Sequence, residues 1–422
     1  MFDHYEGHGE WDFRNEDTKE YTHCFHIYPA MMIPQVARGL IERYGAPDDF
    51  LFDPYCGSGT SLVEGRLAGM SVSGTDLNPT ARLIAMTKAH NHEVDAMKVA
   101  VSRFLVGLEE KFSTIKSYTL YPEPEFVTFE RLLDWFPVQS ICEVSECLAR
   151  IEQAPIPARD FLRIALSECL RLISFQRNGE FKLYRIPSDE RKDHYIPLFP
   201  LLTARLQRNM EGLTAFVSEI DAKTTWEVHD FNTVDVGSDA PLSKPPTLVV
   251  TSPPYGDSGT TVAYAQFSWL TNAWLGLDDR AAGALDRALM GGRRETIEPF
   301  GFEPIDVALM NIAEEDERRA MEVYHFYKEY RASIHNVGAM MTNGGTVCYV
   351  VGNRTVKGQQ LPTDLFTAWA FSEVGFDYQT TYVREIPNKR MPSRNSPSNV
   401  AGKTVATMHN EYLVVCKKPK SK

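Results

Sequence analysis

The sequence predicts an α/β fold, an open sheet with ligand contacts at its strand ends and a large helical insertion. Three observations point there. Two apolar runs, Phe50-Leu51-Phe52-Asp53 and Thr247-Leu248-Val249-Val250, read as buried strands, and each empties into a turn. A third strand, Ser71–Thr75, ends on Asp76 about twenty residues after the first turn. From about 94 to 222 strand signals lapse and helical runs take over.

With 422 residues the chain can bury one large core and a second unit. Hydrophobic content of 43% and charged content of 24% are ordinary for a globular enzyme. No apolar run approaches the ~18–20 residues of a membrane helix, and Met1-Phe2-Asp3-His4 does not read as a secretory signal. Seven scattered cysteines, with no Cys-x-x-Cys pair, suit reduced thiols and a cytoplasmic location. The net charge of -12 means that any nucleic-acid binding must rest on local cationic stretches.

After a polar, acidic start, a helix is expected over Pro34 to Tyr44, with proline near its start, Val36, Leu40 and Ile41 on one face and Gly45 past its end. His23 and His26 have a spacing seen in metal sites. No cysteine or acidic cluster accompanies them, so packed histidines and no metal are expected. The strand Phe50–Asp53 runs into Pro54-Tyr55-Cys56-Gly57-Ser58-Gly59-Thr60, followed by a helix over about 61–68. Gly57 and Gly59 allow close backbone approach to a ligand and a sharp entry into a helix. Asp76 is placed to accept from both hydroxyls of a ribose. With no third glycine in the dinucleotide spacing and no Gly-Lys-Thr/Ser phosphate loop, the pattern disfavours NAD and ATP. It favours a nucleoside without phosphates, of which S-adenosylmethionine is the obvious one.

Residues 79–93 read as helical. The insertion then shows helical runs at about 94–113, 128–136, 157–175 and 197–220, with a weak strand signal at 117–122. Between Arg171 and Lys192 six basic residues interleave with Phe175, Phe181 and Tyr184, a pattern suited to phosphates and bases or to a solvated loop. His90-Asn91-His92 spells a nuclease motif without the surrounding pattern and is read as coincidence.

Strands resume at Thr225–His229, ending on Asp230, a third strand-end acid suited to accept from an adenine amino group. The run before Thr251-Ser252-Pro253-Pro254-Tyr255 stops at prolines, which cannot donate to a ladder. Such a turn suits methyl transfer to an exocyclic amine on a planar ring. The amine's lone pair is delocalised, and acceptors on its N–H groups can draw the nitrogen toward tetrahedral geometry. Ser252 Oγ and a carbonyl fixed by Pro253 are candidate acceptors, and Tyr255 can stack on the ring. A helix is expected over 262–275, an irregular stretch over 277–312, and a long helix over 313–342. The strand Thr346–Val351, a helix over 362–374, a strand over 377–384 and a last strand Glu411–Cys416 complete the chain. The loop 384–403, with Arg384, Lys389, Arg390 and Arg394, is the candidate DNA contact.

With both motifs placed, the chain resembles the amino-methylating DNA methyltransferases. Asp53–Thr60 resembles their cofactor motif DPFxGxGT, with Tyr55 for the usual Phe. Thr251–Tyr255 matches their catalytic motif in the TSPPY form, more typical of cytosine-N4 than of adenine-N6 enzymes. The segment from His26 to Pro34 resembles the one that closes over the cofactor's methionine end, and Glu411–Lys418 the last strand of the domain. The resemblance implies a Rossmann-like seven-stranded methyltransferase sheet with a reversed C-terminal hairpin. It implies S-adenosylmethionine held by Tyr28, Asp53, Tyr55, Gly57, Gly59, Thr60, Asp76 and Asp230, and catalysis by Ser252, Pro253, Pro254 and Tyr255 on a base flipped from double-stranded DNA. Expected divisions are 1–93 (cofactor half), 94–222 (helical insertion, a candidate target-recognition region) and 223–422 (catalytic half). A cognate restriction endonuclease is a candidate partner. A cytosine-C5 mechanism would need a Pro-Cys nucleophile, which is absent. Adenine-N6 methylation, RNA methylation and a non-catalytic DNA-binding role remain as alternatives. The cofactor motif precedes the catalytic motif, unlike the commoner cytosine-N4 arrangement.

Overall fold

Strict alternation along the strands builds the architecture. Leu51, Leu248, Val250, Cys348, Val350, Leu413 and Val415 face one layer, and Phe52, Val249, Val347, Tyr349, Val351, Val414 and Cys416 face the other. Such a sheet must be covered on both sides. The structure, a computed structural model, describes residues 2, 4–7, 9–114, 132–177, 182–257, 261–277, 282–291, 293–386, 394–395, 405–406 and 409–420.

In chain order the first elements are β1 (Tyr5–Glu6), a 3-10 turn (Tyr21–Phe25), α1 (Pro34–Tyr44), β2 (Phe50–Asp53), α2 (Thr60–Leu67), β3 (Ser71–Thr75) and α3 (Pro79–Ala89). Next come α4 (Val94–Thr114), a 3-10 turn (Leu132–Asp134), α5 (Val138–Gln153), α6 (Ile156–Ile173) and α7 (Leu198–Glu219). The catalytic half has β4 (Trp226–His229), β5 (Leu248–Thr251), α8 (Tyr264–Trp274), α9 (Ala282–Ala288), α10 (Glu303–Met340), β6 (Thr346–Val351), β7 (Thr355–Val356) and β8 (Gln359–Gln360). The chain closes with α11 (Thr363–Glu373), β9 (Asp377–Glu385), β10 (Arg394–Asn395), β11 (Val405–Ala406) and β12 (Asn410–Lys417).

The sheet order is β1-β9-β12-β6-β5-β2-β3-β4. Strands β4, β3, β2, β5 and β6 pair in parallel, and β12 slots antiparallel between β6 and β9. This is the expected seven-stranded sheet with its reversed hairpin, plus a two-residue edge strand, β1, parallel to β9. The chain leaves β2 for β3 and β4, then returns to the other side of β2 as β5. The switch point of this open sheet therefore lies between β2 and β5, where ligands bind beyond the carboxyl ends.

One face is packed by α1, α2 and α3, the other by α10 and α11. Helices α4 to α7 share a third core with α3, α8 and the turn Tyr21–Phe25, through Phe25, Ile84, Phe161, Leu206 and Trp274.

Three expectations need correction. Helix α5 is absent from the expected elements, although Ile141, Val144, Leu148 and Ile151 form its buried stripe; of the run expected at 128–136, the described part is only the 3-10 turn. Within the stretch 277–312, expected to be irregular, Ala282–Ala288 forms α9 and 303–312 is helical, the first part of α10, begun by Pro304. The helix expected from 313 is its continuation past Asp316, which has non-helical angles (φ -156, ψ 89) and whose Oδ1 accepts the Arg319 N–H at 3.1 Å. Asp316 caps a restart of the helix, which is why the pattern looks as if it began there. The strand signal at 117–122 lies outside the described residues.

Candidate active site

The cleft at the switch point is built from backbone first. Asp53 ends β2 and is buried; its Oδ1 accepts the Tyr55 N–H at 3.0 Å and the Thr251 hydroxyl at 2.5 Å, and its Oδ2 accepts Ser61. One carboxylate thus ties the end of β2 to the end of β5 and to the first turn of α2. Gly57 (φ 49) and Gly59 (φ 80) take left-handed angles between them. At Gly59 a Cβ would lie 2.9 Å from the Ala85 Cα, so α2 can pack on α3 only with glycine there. At Gly57 the nearest atom to an added Cβ is Tyr28 at 3.8 Å, and the space beyond is the cleft.

Asp76 follows β3. Its Oδ2 accepts the Gly57 N–H at 3.1 Å and its Oδ1 the Asn78 N–H at 2.8 Å, so it shapes the glycine turn it faces. Asn78 caps α3 and donates to Tyr28 Oη at 2.9 Å and Ser268 Oγ at 2.8 Å, and the Tyr28 ring stacks on Tyr264. Tyr55 Oη and Ser333 Oγ lie 2.5 Å apart, with Thr233 Oγ1 at 2.7 Å from the same serine.

The cleft, about 1030 Å³ with its open mouth included, lies at this switch point. Tyr28, Asp53, Tyr55, Gly57, Thr60, Asp76, Ser252 and Pro254 all line it. Gly59, Pro253 and Tyr255 are not among its lining residues. Asp230 does not line it and is exposed; Phe231, Asn232 and Thr233 line it instead. The strand-end acid is an attractive reading, but the chain reaches the cleft only after the strand has ended. Sequence reasoning also missed Asn78, Tyr264, Leu289 and Met290, whereas Met31 and Met32 fall in the His26–Pro34 segment named for the cofactor. Only Asn78 carried a signal, as the residue before a helix-initiating proline.

The residues fit a nucleoside carrying a sulfonium. Ser58 Oγ is buried on the cleft wall with no hydrogen-bond partner among the described residues. The backbone of Gly57 is open to the cleft, and two acids and several apolar side chains surround it.

Burial pushes the Asp76 carboxyl up to about 6, against the Asn78 and Gly57 N–H groups and Arg82, which pull it down. Burial likewise raises Asp53 to about 6, opposed by Ser61, Thr251 and the Tyr55 N–H. Both lie above the ordinary 3.8, so the folded chain holds extra protons between about 3.8 and about 6. Their contribution to stability is therefore fully present below that window and lost as pH rises through it. Ligand binding runs the other way. A carboxylate that accepts two hydroxyls must be ionised, so cofactor affinity should be flat above about pH 7 and fall below about 6, approaching tenfold per unit for one group. Calorimetric titration at several pH values checks this, and an affinity unchanged down to about pH 5 would remove Asp76 from the contact.

The cationic expectations divide. Arg384 is not a surface cation. It is 5% exposed, and its Nη1 donates to Glu411 Oε2 at 2.7 Å across the β9–β12 pair. A guanidinium on a sheet strand must be paired when buried, and the cross-strand glutamate supplies the partner. Lys389 and Arg390 lie outside the described residues, and Arg394 opens the short strand β10. Within the 171–192 stretch, Arg171 lies over Phe267, Arg185 over Trp135 and Arg191 over Phe175, so at least these three cations are engaged internally. Phe181 lies outside the described residues. His23 Nε2 and Glu64 Oε1 are 2.7 Å apart, and His26 Nδ1 meets the Ile27 carbonyl at 2.6 Å.

A family model described as UPF0020, RMKL-like, methyltransferase domain, matches residues 19–112. The type II methyltransferase M.MvaI of Kocuria varians is 35% identical over 434 residues, covering 96% of this chain and 93% of that protein. The type II methyltransferase M.MjaII of Methanocaldococcus jannaschii is 29% identical over 94 residues, 21% of this chain and 18% of that protein. A candidate DNA modification methylase from Thermus thermophilus, solved with S-adenosyl-L-methionine, is 21% identical over 23% of this chain and 38% of its own, with a TM-score of 0.17. On near full-length identity to M.MvaI, the chain belongs to the type II methyltransferases and is an S-adenosylmethionine-dependent DNA methyltransferase.

Proposed function

We propose that the enzyme methylates the exocyclic N4 amine of cytosine in double-stranded DNA, on a base flipped out of the duplex. The observation that carries this reading is the shared cleft: Ser252 and Pro254 line the same space as Gly57 and Asp76. The TSPPY form of the turn, more typical of cytosine-N4 enzymes, supports the choice of base. When bound, S-adenosylmethionine supplies a methyl group already activated on sulfur. The chain's own residues do the rest. Asp76 accepts from the ribose hydroxyls, and the Gly57 backbone lets the ligand lie close. Ser252 Oγ and the Pro253 carbonyl accept from the target amine's N–H groups and free its lone pair for in-line attack. Tyr255, between the cleft-lining Pro254 and Gly256, packs on the base. No protein nucleophile is required, because the amine itself attacks.

The remaining assignments are proposals of the same reading. The segment 94–222 is the candidate target-recognition region, and the partner in the cell is a cognate restriction endonuclease, in a cytoplasmic, nucleoid-associated setting. DNA affinity rests on local cations of the 384–403 stretch, with Arg384 withdrawn from that set. Neutralising Lys389, Arg390 and Arg394 should flatten the plot of log K against log salt by about 0.9 for each phosphate that no longer meets a cation. An unchanged slope would move the DNA surface elsewhere.

The reading is tested with methyl-labelled S-adenosylmethionine and duplex DNA containing 5-fluorocytosine. Direct amine attack predicts label in the DNA and no covalent enzyme–DNA adduct. A trapped adduct would contradict it.

A further inference from the structure

The mechanism needs Ser252 to accept, yet a serine hydroxyl can equally donate. Nothing within the turn itself decides which. The decision lies on the last strand. Glu411 and Arg384 are register partners across β12 and β9, and Glu411 Oε2 takes the Arg384 Nη1–H at 2.7 Å. The other carboxylate oxygen, Oε1, accepts the Tyr255 hydroxyl at 3.0 Å. A phenol has one proton, and here it is given to an acceptor that can only accept. Toward Ser252 Oγ, 3.4 Å away, the Tyr255 oxygen therefore offers lone pairs alone. The serine proton turns to Tyr255, and the serine lone pairs are left for the amine. At 3.4 Å the contact is longer than the roughly 2.5–3.0 Å of an ordinary O–H···O bond, so it acts as a weak bias on the serine rotor and not as a proton relay.

Building on the reading that Ser252 accepts from the target amine, we propose that Glu411, backed by Arg384, is a positioning residue that sets hydrogen-bond direction at the catalytic turn. It acts through the Tyr255 hydroxyl and touches neither cofactor nor base. Without the carboxylate, the Tyr255 proton is free to point at Ser252 and occupy the lone pair that the amine needs.

Removing Glu411 alone would leave Arg384 buried and unpaired, which can unfold the chain. The test therefore uses E411L combined with R384M, which removes both charges and the acceptor for the Tyr255 hydroxyl, in a double-mutant cycle with Tyr255→Phe. Single-turnover methylation is measured at saturating S-adenosylmethionine and duplex DNA. The charge-free variant and Tyr255→Phe should each slow methyl transfer roughly tenfold, the scale of one charge-assisted hydrogen bond. The combined variant should be no slower than Tyr255→Phe alone, and cofactor affinity should not change in any of them. Losses that multiply would overturn the proposal, because a merely structural role acts independently of the phenol. A charge-free variant with wild-type rate would overturn it too. Ser252→Ala, run beside these, separates the two levels. If it keeps wild-type rate, the assignment of Ser252 itself fails; if it is slow while the charge-free variant is not, only the role of Glu411 fails.

Discussion

Ser252→Ala should lower the rate of methyl transfer by about 10²–10³, the range seen when one preorganised group facing developing charge is deleted. The preceding residue makes this a clean test. Thr251 is buried and its hydroxyl donates to Asp53, so the end of β5 stays anchored to β2 whatever stands at 252. Serine to alanine removes one oxygen from a half-buried position and creates no cavity of consequence. Folding stability should move by no more than about 0.5 kcal/mol. Cofactor affinity should also be preserved, because the contact at issue matters as the amine rehybridises and not in the ground state. Rapid-quench measurement of methyl transfer, with calorimetry on the same protein, reads both quantities. A variant of unchanged rate would remove Ser252 from the chemistry.

Asp76→Ala should weaken S-adenosylmethionine binding by about 1.5–3 kcal/mol, or about 10- to 150-fold, as expected for hydrogen bonds to a charged group. Two losses combine. The ribose hydroxyls lose their acceptor, and the N–H groups of Gly57 and Asn78 lose theirs, so the glycine turn is no longer held in its left-handed form. Asp76→Asn separates these contributions, since its single carbonyl oxygen can keep one of the two backbone bonds. Calorimetry on both variants should place asparagine between alanine and wild type. Equal affinities across all three would dissociate Asp76 from the cofactor.

How much is legible in the sequence follows from where each signal resides. Phe50–Asp53 and Thr346–Val351 are readable because parallel strands covered on both faces are continuous apolar runs, and both match the structure residue for residue, as does the more polar Ser71–Thr75. The glycine turn and the Ser-Pro-Pro turn are readable because their backbone demands restrict the residues allowed. Contacts between distant segments leave no such mark. The Glu411–Tyr255 bond joins residues 156 apart, and nothing local to either announces it. Arg384 is misleading for the same reason. A basic residue at the edge of a basic, proline-rich loop looks solvated until the cross-strand glutamate is seen. Asp230 misleads because strand-end position fixes the neighbourhood and not which of the following residues turns inward. The start of helix α10 is misplaced because Asp316 restarts it, and a capping aspartate reads the same whether the chain before it is loop or helix.

The central claim is that the shared cleft delivers a methyl group to the N4 amine of cytosine. Its most direct test is mass spectrometry of nucleosides from duplex DNA treated with the enzyme and S-adenosylmethionine. The account predicts N4-methylcytosine as the product; N6-methyladenine would contradict the assignment of the base, and 5-methylcytosine would contradict the mechanism itself.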